Sequence, residues 1–96
     1  MTELRWRSPV FGSPGDEKAF FGWLESIHGV SRVEGSGQEL IVTFRSTRIS
    51  QQALRELIAI SSRYSVDMSQ LAQFLSPKNE HWFKARRAYW YKIVFA

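Results

Sequence analysis

A short glycine-containing segment, residues 35–38, separates two runs of strand-forming residues and predicts a β-hairpin. Its sequence is GSGQ, and glycines supply the positive φ angles that tight hairpin turns need. The first run covers residues 30–34 and the second covers residues 39–45. One face of the second run is apolar and the other is mostly apolar, with Leu40, Val42 and Phe44 alternating with Ile41, Thr43 and Arg45. We therefore expect the second run to lie in the centre of a sheet.

A first amphipathic helix is predicted before the hairpin. Ser13 can cap its first amides, Pro14 suits the first helical turn, and Asp16 can complete a capping box. Gly29 is suited to a left-handed position after the helix end. The predicted buried stripe has i, i+3, i+4, i+7 spacing and consists of Phe20, Trp23, Leu24 and Ile27.

A second amphipathic helix is predicted to begin after Ser50. Ile49 and Leu54 are spaced as a hydrophobic staple around that cap. The predicted buried stripe consists of Leu54, Leu57, Ile58 and Ser61, widened by Ala53, Ile60 and Tyr64.

Further elements are predicted at both ends of the chain. Residues 4–11 alternate as a first strand that Pro9 ends or places at a sheet edge. Residues 67–75 suit a short helical segment, which Ser76 and Pro77 break before one more turn through Trp82. Residues 88–95 are rich in aromatic and β-branched side chains and predict a last strand, although their spacing would also suit a helix.

The predicted order is β-α-β-β-α-(α)-β, in one α+β domain that covers residues 1–96. This order is compatible with a ferredoxin-like split β-α-β sandwich of four strands with helices on one face. The core is predicted to contain Trp6, Phe20, Trp23, Leu24, Leu40, Val42, Phe44, Leu54, Leu57 and Ile58.

Composition limits the classes of function. The chain has no cysteine, which excludes disulfides, thiolate nucleophiles and cysteine-type zinc sites. Its first twenty residues lack the apolar core of a signal peptide, and no stretch is apolar enough for a membrane helix. We therefore expect a soluble cytoplasmic protein with no membrane partner.

No motif predicts catalysis or cofactor binding. His28 is expected at the end of the first helix, where the helix dipole favours it. His81 has no second histidine at ligand spacing, so a metal site is not expected. The glycine pairs lack the remaining residues of a P-loop or a dinucleotide site. We predict no catalytic, cofactor-binding or metal-binding residues, while a small enzyme with an unrecognised site remains a second alternative.

The charge excess lies at the C-terminus. The net charge is +4, and residues 1–75 hold eight basic and eight acidic side chains, so the whole excess belongs to residues 76–96. In residues 82–95 six aromatic side chains interleave with four cations. The predicted partner-binding residues are Trp82, Lys84, Arg86, Arg87, Tyr89, Tyr91 and Lys92.

This composition is typical of three situations. Trp, Tyr and Arg often supply binding energy at protein interfaces. Aromatic rings and cations also bind single-stranded nucleic acid, by stacking on bases and neutralising phosphates. Some of the rings could instead line the core. Residues 39–44 lack the glycine and ring pattern of an RNA-recognition strand, so we rank protein binding first and nucleic acid second. An exposed edge strand near Pro9 or at the C-terminus would also permit a homodimer.

The C-terminal residues 79–95 resemble the ending of small uncharacterised bacterial proteins, some of which are similar to immunity proteins of toxin systems. The resemblance rests on NEHWF at 79–83, YWYK at 89–92 and VF at 94–95. It implies a cognate toxin that is bound and blocked without chemistry. Inhibitors of nucleases are usually acidic and this chain is basic, so the implied toxin is an enzyme other than a nuclease, or is bound away from its active site.

Overall fold

A computed structural model describes residues 2–96, which form a three-stranded sheet and several helical segments. The elements in chain order are β1 (Thr2–Arg7), α1 (Pro14–Ser26), β2 (Val30–Ser36), β3 (Glu39–Phe44), α2 (Gln51–Arg63), a 3-10 helix (Ser69–Phe74), α3 (Glu80–Phe83) and α4 (Tyr91–Val94). The predicted α+β class is confirmed. The first strand is shorter than predicted, because it ends at Arg7, before Pro9.

The sheet order is β1-β3-β2. β3 is antiparallel to both neighbours, so β1 and β2 run parallel with β3 inserted between them. The result is a β-α-β unit in which α1 connects β1 to β2 and β3 lies between these two strands. The hairpin and the central position of β3 are both confirmed, and Gly37 supplies the positive φ of the turn at +63°.

The two faces of the sheet differ in polarity. The core face carries fully buried side chains, among them Leu4, Trp6 and Val42. The opposite face carries ion pairs: Arg5 Nε lies 3.5 Å from Glu3 Oε1, Arg5 Nη1 lies 3.7 Å from Glu39 Oε1, and Arg32 Nη2 lies 3.2 Å from Glu34 Oε2. Exposed pairs of this kind add little stability, but they pair Arg5 and Arg32 with glutamates of the sheet itself.

Both long helices begin where the sequence predicts. The hydroxyl of Ser13 accepts a hydrogen bond from the amide of Asp16 at 3.1 Å, and that of Ser50 accepts one from Ala53 at 3.0 Å. The Asp16 carboxylate accepts from the amide of Gly12 at 3.2 Å, so the reciprocal bond lies one residue before the expected position. Gly29 has φ +98°, as its predicted left-handed role requires.

The predicted core is confirmed with one exception. Trp23 is only partly buried, and its indole Nε1 donates to Glu56 Oε1 at 2.8 Å, which ties α1 to α2. The other nine predicted core residues are buried: Trp6, Phe20, Leu24, Leu40, Val42, Phe44, Leu54, Leu57 and Ile58.

The outer edge of β1 is closed by side chains of the 3-10 helix. The Arg5 amide donates to Gln70 Oε1 at 2.9 Å, and Gln70 Nε2 donates back to the Arg5 carbonyl. Gln73 Nε2 also donates to the Glu3 carbonyl at 3.4 Å. The carboxamide of Gln70 therefore supplies to Arg5 the acceptor and the donor that the backbone of a neighbouring strand would offer.

The predicted fourth strand at residues 88–95 is wrong. Residues 88–90 form a turn, and Tyr91–Val94 form the short helix α4. Gln70 already takes the Arg5 position on the β1 edge. Helical spacing instead buries Val94 and lets Phe95 pack on Phe83, with ring centroids 4.9 Å apart.

Replacement of Leu57 by alanine tests the core assignment of α2. Leu57 has no exposed surface, so Leu57→Ala should reduce the free energy of unfolding by about 2–5 kcal/mol through lost burial and a residual cavity. Urea unfolding monitored by circular dichroism measures the change. Ser62→Ala, at an exposed site on the same helix, should change it by less than about 0.5 kcal/mol. An equally small loss for Leu57→Ala would contradict the packing of α2.

Replacement of Gln70 by alanine tests the closure of the β1 edge. The Arg5 amide would lose its acceptor, so its hydrogen exchange should accelerate by about tenfold or more, and stability should fall by about 1–2 kcal/mol. Exchange measured residue by residue with NMR reports the effect. Gln38→Ala, in the hairpin turn, is the matched control and should leave Arg5 exchange unchanged. Unchanged exchange at Arg5 in Gln70→Ala would show that the side chain does not protect this edge.

Candidate functional site

The C-terminal segment that follows α3 is fixed to the core by aromatic side chains. Phe83 has no exposed surface, and its ring packs edge-on against Phe95 at 4.9 Å between centroids. Val94 is 8% exposed and belongs to the same core cluster. Part of the aromatic run therefore has a structural role, which is one of the three interpretations that its composition allows.

Trp82 in α3 and Trp90 in the segment that follows it also have structural partners. Trp82 Nε1 donates to Gln51 Oε1 at 2.9 Å, and the Arg55 guanidinium carbon lies 3.9 Å from the centroid of the Trp82 ring. Trp90 Nε1 donates to the Phe83 carbonyl at 2.6 Å, and the two indoles meet edge-on at 6.2 Å. Trp82, a predicted partner contact, thus joins α3 to the first turns of α2.

The four predicted cationic contacts are exposed. Lys84, Arg86, Arg87 and Lys92 all extend into solvent. The ion pairs found among residues 2–96 lie on the sheet, and none includes these four side chains. Lys84 Nζ lies 5.7 Å from the centroid of the Phe95 ring, which is a distant cation–π contact. Their charge is therefore not neutralised by the described part of the chain.

Apolar side chains are exposed next to these cations in the sequence. Tyr89 is 61% exposed and Ile93 is 50% exposed, whereas the neighbouring apolar side chains of Trp90, Val94 and Phe95 pack against the core. The Tyr89 ring meets Trp90 edge-on at 5.0 Å, which holds its position while leaving most of its surface free. Tyr91 is half-buried against Phe95. We call the exposed set the C-terminal surface: Lys84, Arg86, Arg87, Tyr89, Lys92 and Ile93.

Sequence reasoning missed Ile93. The strand predicted over residues 88–95 leads to the expectation that this isoleucine faces the core. In α4 it lies one position before the buried Val94, and the helical turn directs the two side chains differently. The i, i+4 pairing of Tyr89 with Ile93 is the pattern from which this outcome could have been predicted.

The two histidines lie on different parts of the chain. His28 is exposed and lies past the end of α1 at Ser26, so it is not in the last helical turn as expected. His81 is exposed on α3. Across residues 2–96, no three side chains of the His, Cys, Asp or Glu type are grouped so that they could hold a metal ion. No helix in the same range is both long and apolar enough to cross a membrane.

One titratable group has a perturbed environment. Tyr64 follows α2 and lies beside an open cleft of about 550 Å³ that Arg7, Asp16 and Arg63 also line. Burial and the neighbouring Asp16 carboxylate raise the pKa of the Tyr64 hydroxyl, and Arg63 opposes this shift. The hydroxyl therefore stays protonated at neutral pH and is not an activated nucleophile.

Comparison with known proteins adds no relative: no family model, curated protein or solved structure matches the chain.

Replacement of Trp90 by phenylalanine tests whether the aromatic cluster fixes the C-terminal surface. Phenylalanine retains a ring but leaves the Phe83 carbonyl without its donor, so Trp90→Phe should lower the free energy of unfolding by about 1–3 kcal/mol. Tyr89→Phe removes only an exposed hydroxyl and should change stability by less than about 0.5 kcal/mol. Chemical denaturation of both variants makes the comparison. Equal stability of the two would mean that the indole bond contributes nothing.

Proposed function

We propose that this chain is a non-enzymatic, cytoplasmic protein-binding module whose C-terminal surface binds an acidic face of a partner protein. The observation that carries the proposal is the exposure of Lys84, Arg86, Arg87 and Lys92 without a carboxylate partner, in the same segment as exposed Tyr89 and Ile93. Apolar and aromatic contacts combined with cations are the composition of protein interfaces that bind acidic surfaces.

The rigidity of the segment supports this role. Short turns with few backbone hydrogen bonds would normally lose much conformational entropy when a partner binds. Here Phe83, Trp90 and Val94 are packed before any partner arrives. A large part of the ordering cost has therefore been met during folding, which favours tight binding by a small surface.

The positions of the rings favour a protein partner over nucleic acid. Base stacking requires aromatic faces that are open to solvent. Of the six rings in residues 82–95 only Tyr89 is classed as exposed, and Trp82 has Arg55 over its ring. The one ring of β3, Phe44, is fully buried on the core face of the sheet. A stacking platform of several bases has no counterpart in this arrangement, whereas an interface needs only one or two apolar contacts.

An immunity-type inhibitor is the form of this proposal that the sequence resemblance suggests. The motifs that carry the resemblance include Lys92 and the aromatic residues of the segment, and the other three exposed cations lie between them, at residues 84–87. The partner would then be a toxin with an acidic surface, inhibited by being covered. Such an activity needs surface complementarity and no reacting group, which agrees with a binding surface made of Lys, Arg, Tyr and Ile side chains.

Affinity capture with a charge-reversed variant tests the proposal. The full chain is immobilised, exposed to an extract of its source organism, and compared with the double variant Arg86→Glu and Arg87→Glu. A stoichiometric partner with an acidic surface should bind the native chain and be lost from the variant, because reversed charges reduce both the association rate and complementarity. Bound proteins are identified by mass spectrometry, and the folding of each variant is checked by circular dichroism.

A matched control separates this surface from net charge. Lys18→Glu combined with Arg7→Glu changes the charge equally, at exposed positions on α1 and β1 that take part in none of the ion pairs found within residues 2–96, and should retain the partner. Equal retention by all three chains would place the interface elsewhere. Recovery of nucleic acid alone, with release by nuclease, would support the alternative function instead.

A further inference from the structure

A groove of about 870 Å³ lies between the loop that enters α2 and the segment that follows the 3-10 helix. One side of the groove is formed by residues 47–50 of the loop and by Gln51 at the start of α2. The other side is formed by residues 73–79, from the end of the 3-10 helix to Asn79. His28, past the end of α1, completes the lining. The volume is within the range of pockets that bind ligands, about 300–1,000 Å³.

The groove has apolar lining that is fixed by the core. Phe74 is 3% exposed and packs edge-on against Phe44, with ring centroids 5.2 Å apart. Ile49 and Leu75 are partly buried and pack against the same core cluster. Ile49 and Leu75 keep part of their surface open, so an apolar side chain from outside could bury surface against these two residues without rearranging them.

The charges around the groove have one sign. Arg48 and Lys78 line it from opposite sides, and both are exposed. Neither takes part in the ion pairs found within residues 2–96. None of the carboxylate side chains of the protein is among the lining residues. Because nothing in the groove neutralises these cations, an anionic occupant is favoured over a neutral or cationic one.

One buried side chain keeps the groove open. Asn79 is 4% exposed; its Oδ1 accepts from the Ser76 amide at 2.9 Å, and its Nδ2 donates to the Phe74 carbonyl at 2.8 Å. These bonds fix the chain around Pro77 as a rigid wall. A preformed groove avoids the cost of ordering a loop on binding.

The groove is also connected to the C-terminal surface. Gln51 lines the groove, and its side-chain oxygen accepts the hydrogen bond from the Trp82 indole. Trp82 in turn meets Trp90, which holds the position of Tyr89. Side-chain contacts through Trp82 and Trp90 therefore connect the two regions.

We infer that this groove binds an extended acidic peptide segment, with an apolar side chain against Ile49 and Leu75 and carboxylates paired with Arg48 and Lys78. The inference rests on the proposed function, because it takes the occupant to be part of a partner protein. It adds a second contact region with its own chemistry, an apolar lining between two cations, to the mainly cationic C-terminal surface.

Selection from an unbiased peptide library tests the inference. A phage-displayed library of random twelve-residue peptides is selected on the immobilised full chain. Peptides that combine Asp or Glu with Leu, Ile or Phe should be enriched. In ¹⁵N-labelled protein, the synthetic form of the most enriched peptide should shift the amide resonances of Arg48, Phe74 and Lys78. Arg48→Glu combined with Lys78→Glu should weaken its binding by about tenfold or more, because both rim charges are reversed.

Two controls make the result decisive. The double variant Lys18→Glu and Arg7→Glu should bind the peptide as the native chain does. The double variant Arg86→Glu and Arg87→Glu should keep the peptide even where it loses the captured partner, which separates this inference from the proposed function. Enriched peptides without acidic residues, resonance shifts outside the groove, or no enrichment over an uncoated surface would each overturn the inference.

Discussion

The side-chain carboxamide of Gln70 at the outer edge of β1 is the interaction on which the C-terminal half of the molecule depends. By bonding both the amide and the carbonyl of Arg5, it occupies the place where a fourth strand would pair. The same 3-10 helix buries Leu71 and Phe74 in the core, with Phe74 against Phe44, so its packing and the Gln70 bonds together hold it beside the sheet. The last residues have no pairing site at Arg5, so their aromatic side chains are buried through short helical turns instead. Unpaired strand edges favour association with other chains, and here part of that edge is satisfied internally.

This arrangement divides the aromatic and basic run into two roles. Phe83, Trp90 and Val94 face the core and fix the backbone. The cations and Tyr89 do not pack into the core in this way, and they are exposed to solvent. A strand would have placed alternate residues on opposite faces, and half of the run would then have lain on the polar face of the sheet. The short turns instead keep the exposed residues together in a short stretch of chain, where the Tyr89 ring is positioned by its contact with Trp90.

The sequence predicts those features that arise from nearby residues. Ser13 and Ser50 cap helices, Gly37 forms the hairpin turn, and the periodicity of α2 identifies its buried side, because each depends on contacts within a few positions. Gln70 and Arg5 are 65 positions apart, and nothing near either residue indicates their contact. Without that contact, the sequence does not show that the Arg5 position on the β1 edge is already occupied. Residues 88–95 favour strand and helix alike, so the strand predicted there is wrong. The groove was missed for the same reason, because its lining comes from three separate stretches of the chain.

The placement of charge then distinguishes the open face of the sheet from the region around the start of α2. On the open face of the sheet, Arg5 and Arg32 are paired with glutamates. Around the start of α2 the cations are not paired, and the first turn of that helix contains no acidic residue. The partial positive charge of a helix N-terminus adds to theirs. An acidic protein would therefore be attracted to this side before it makes any contact, at a rate that falls as salt screens the field. In the proposed function, this electrostatic attraction would orient the acidic protein as it approaches. The apolar side chains on the C-terminal surface and in the groove would then determine which acidic proteins remain bound.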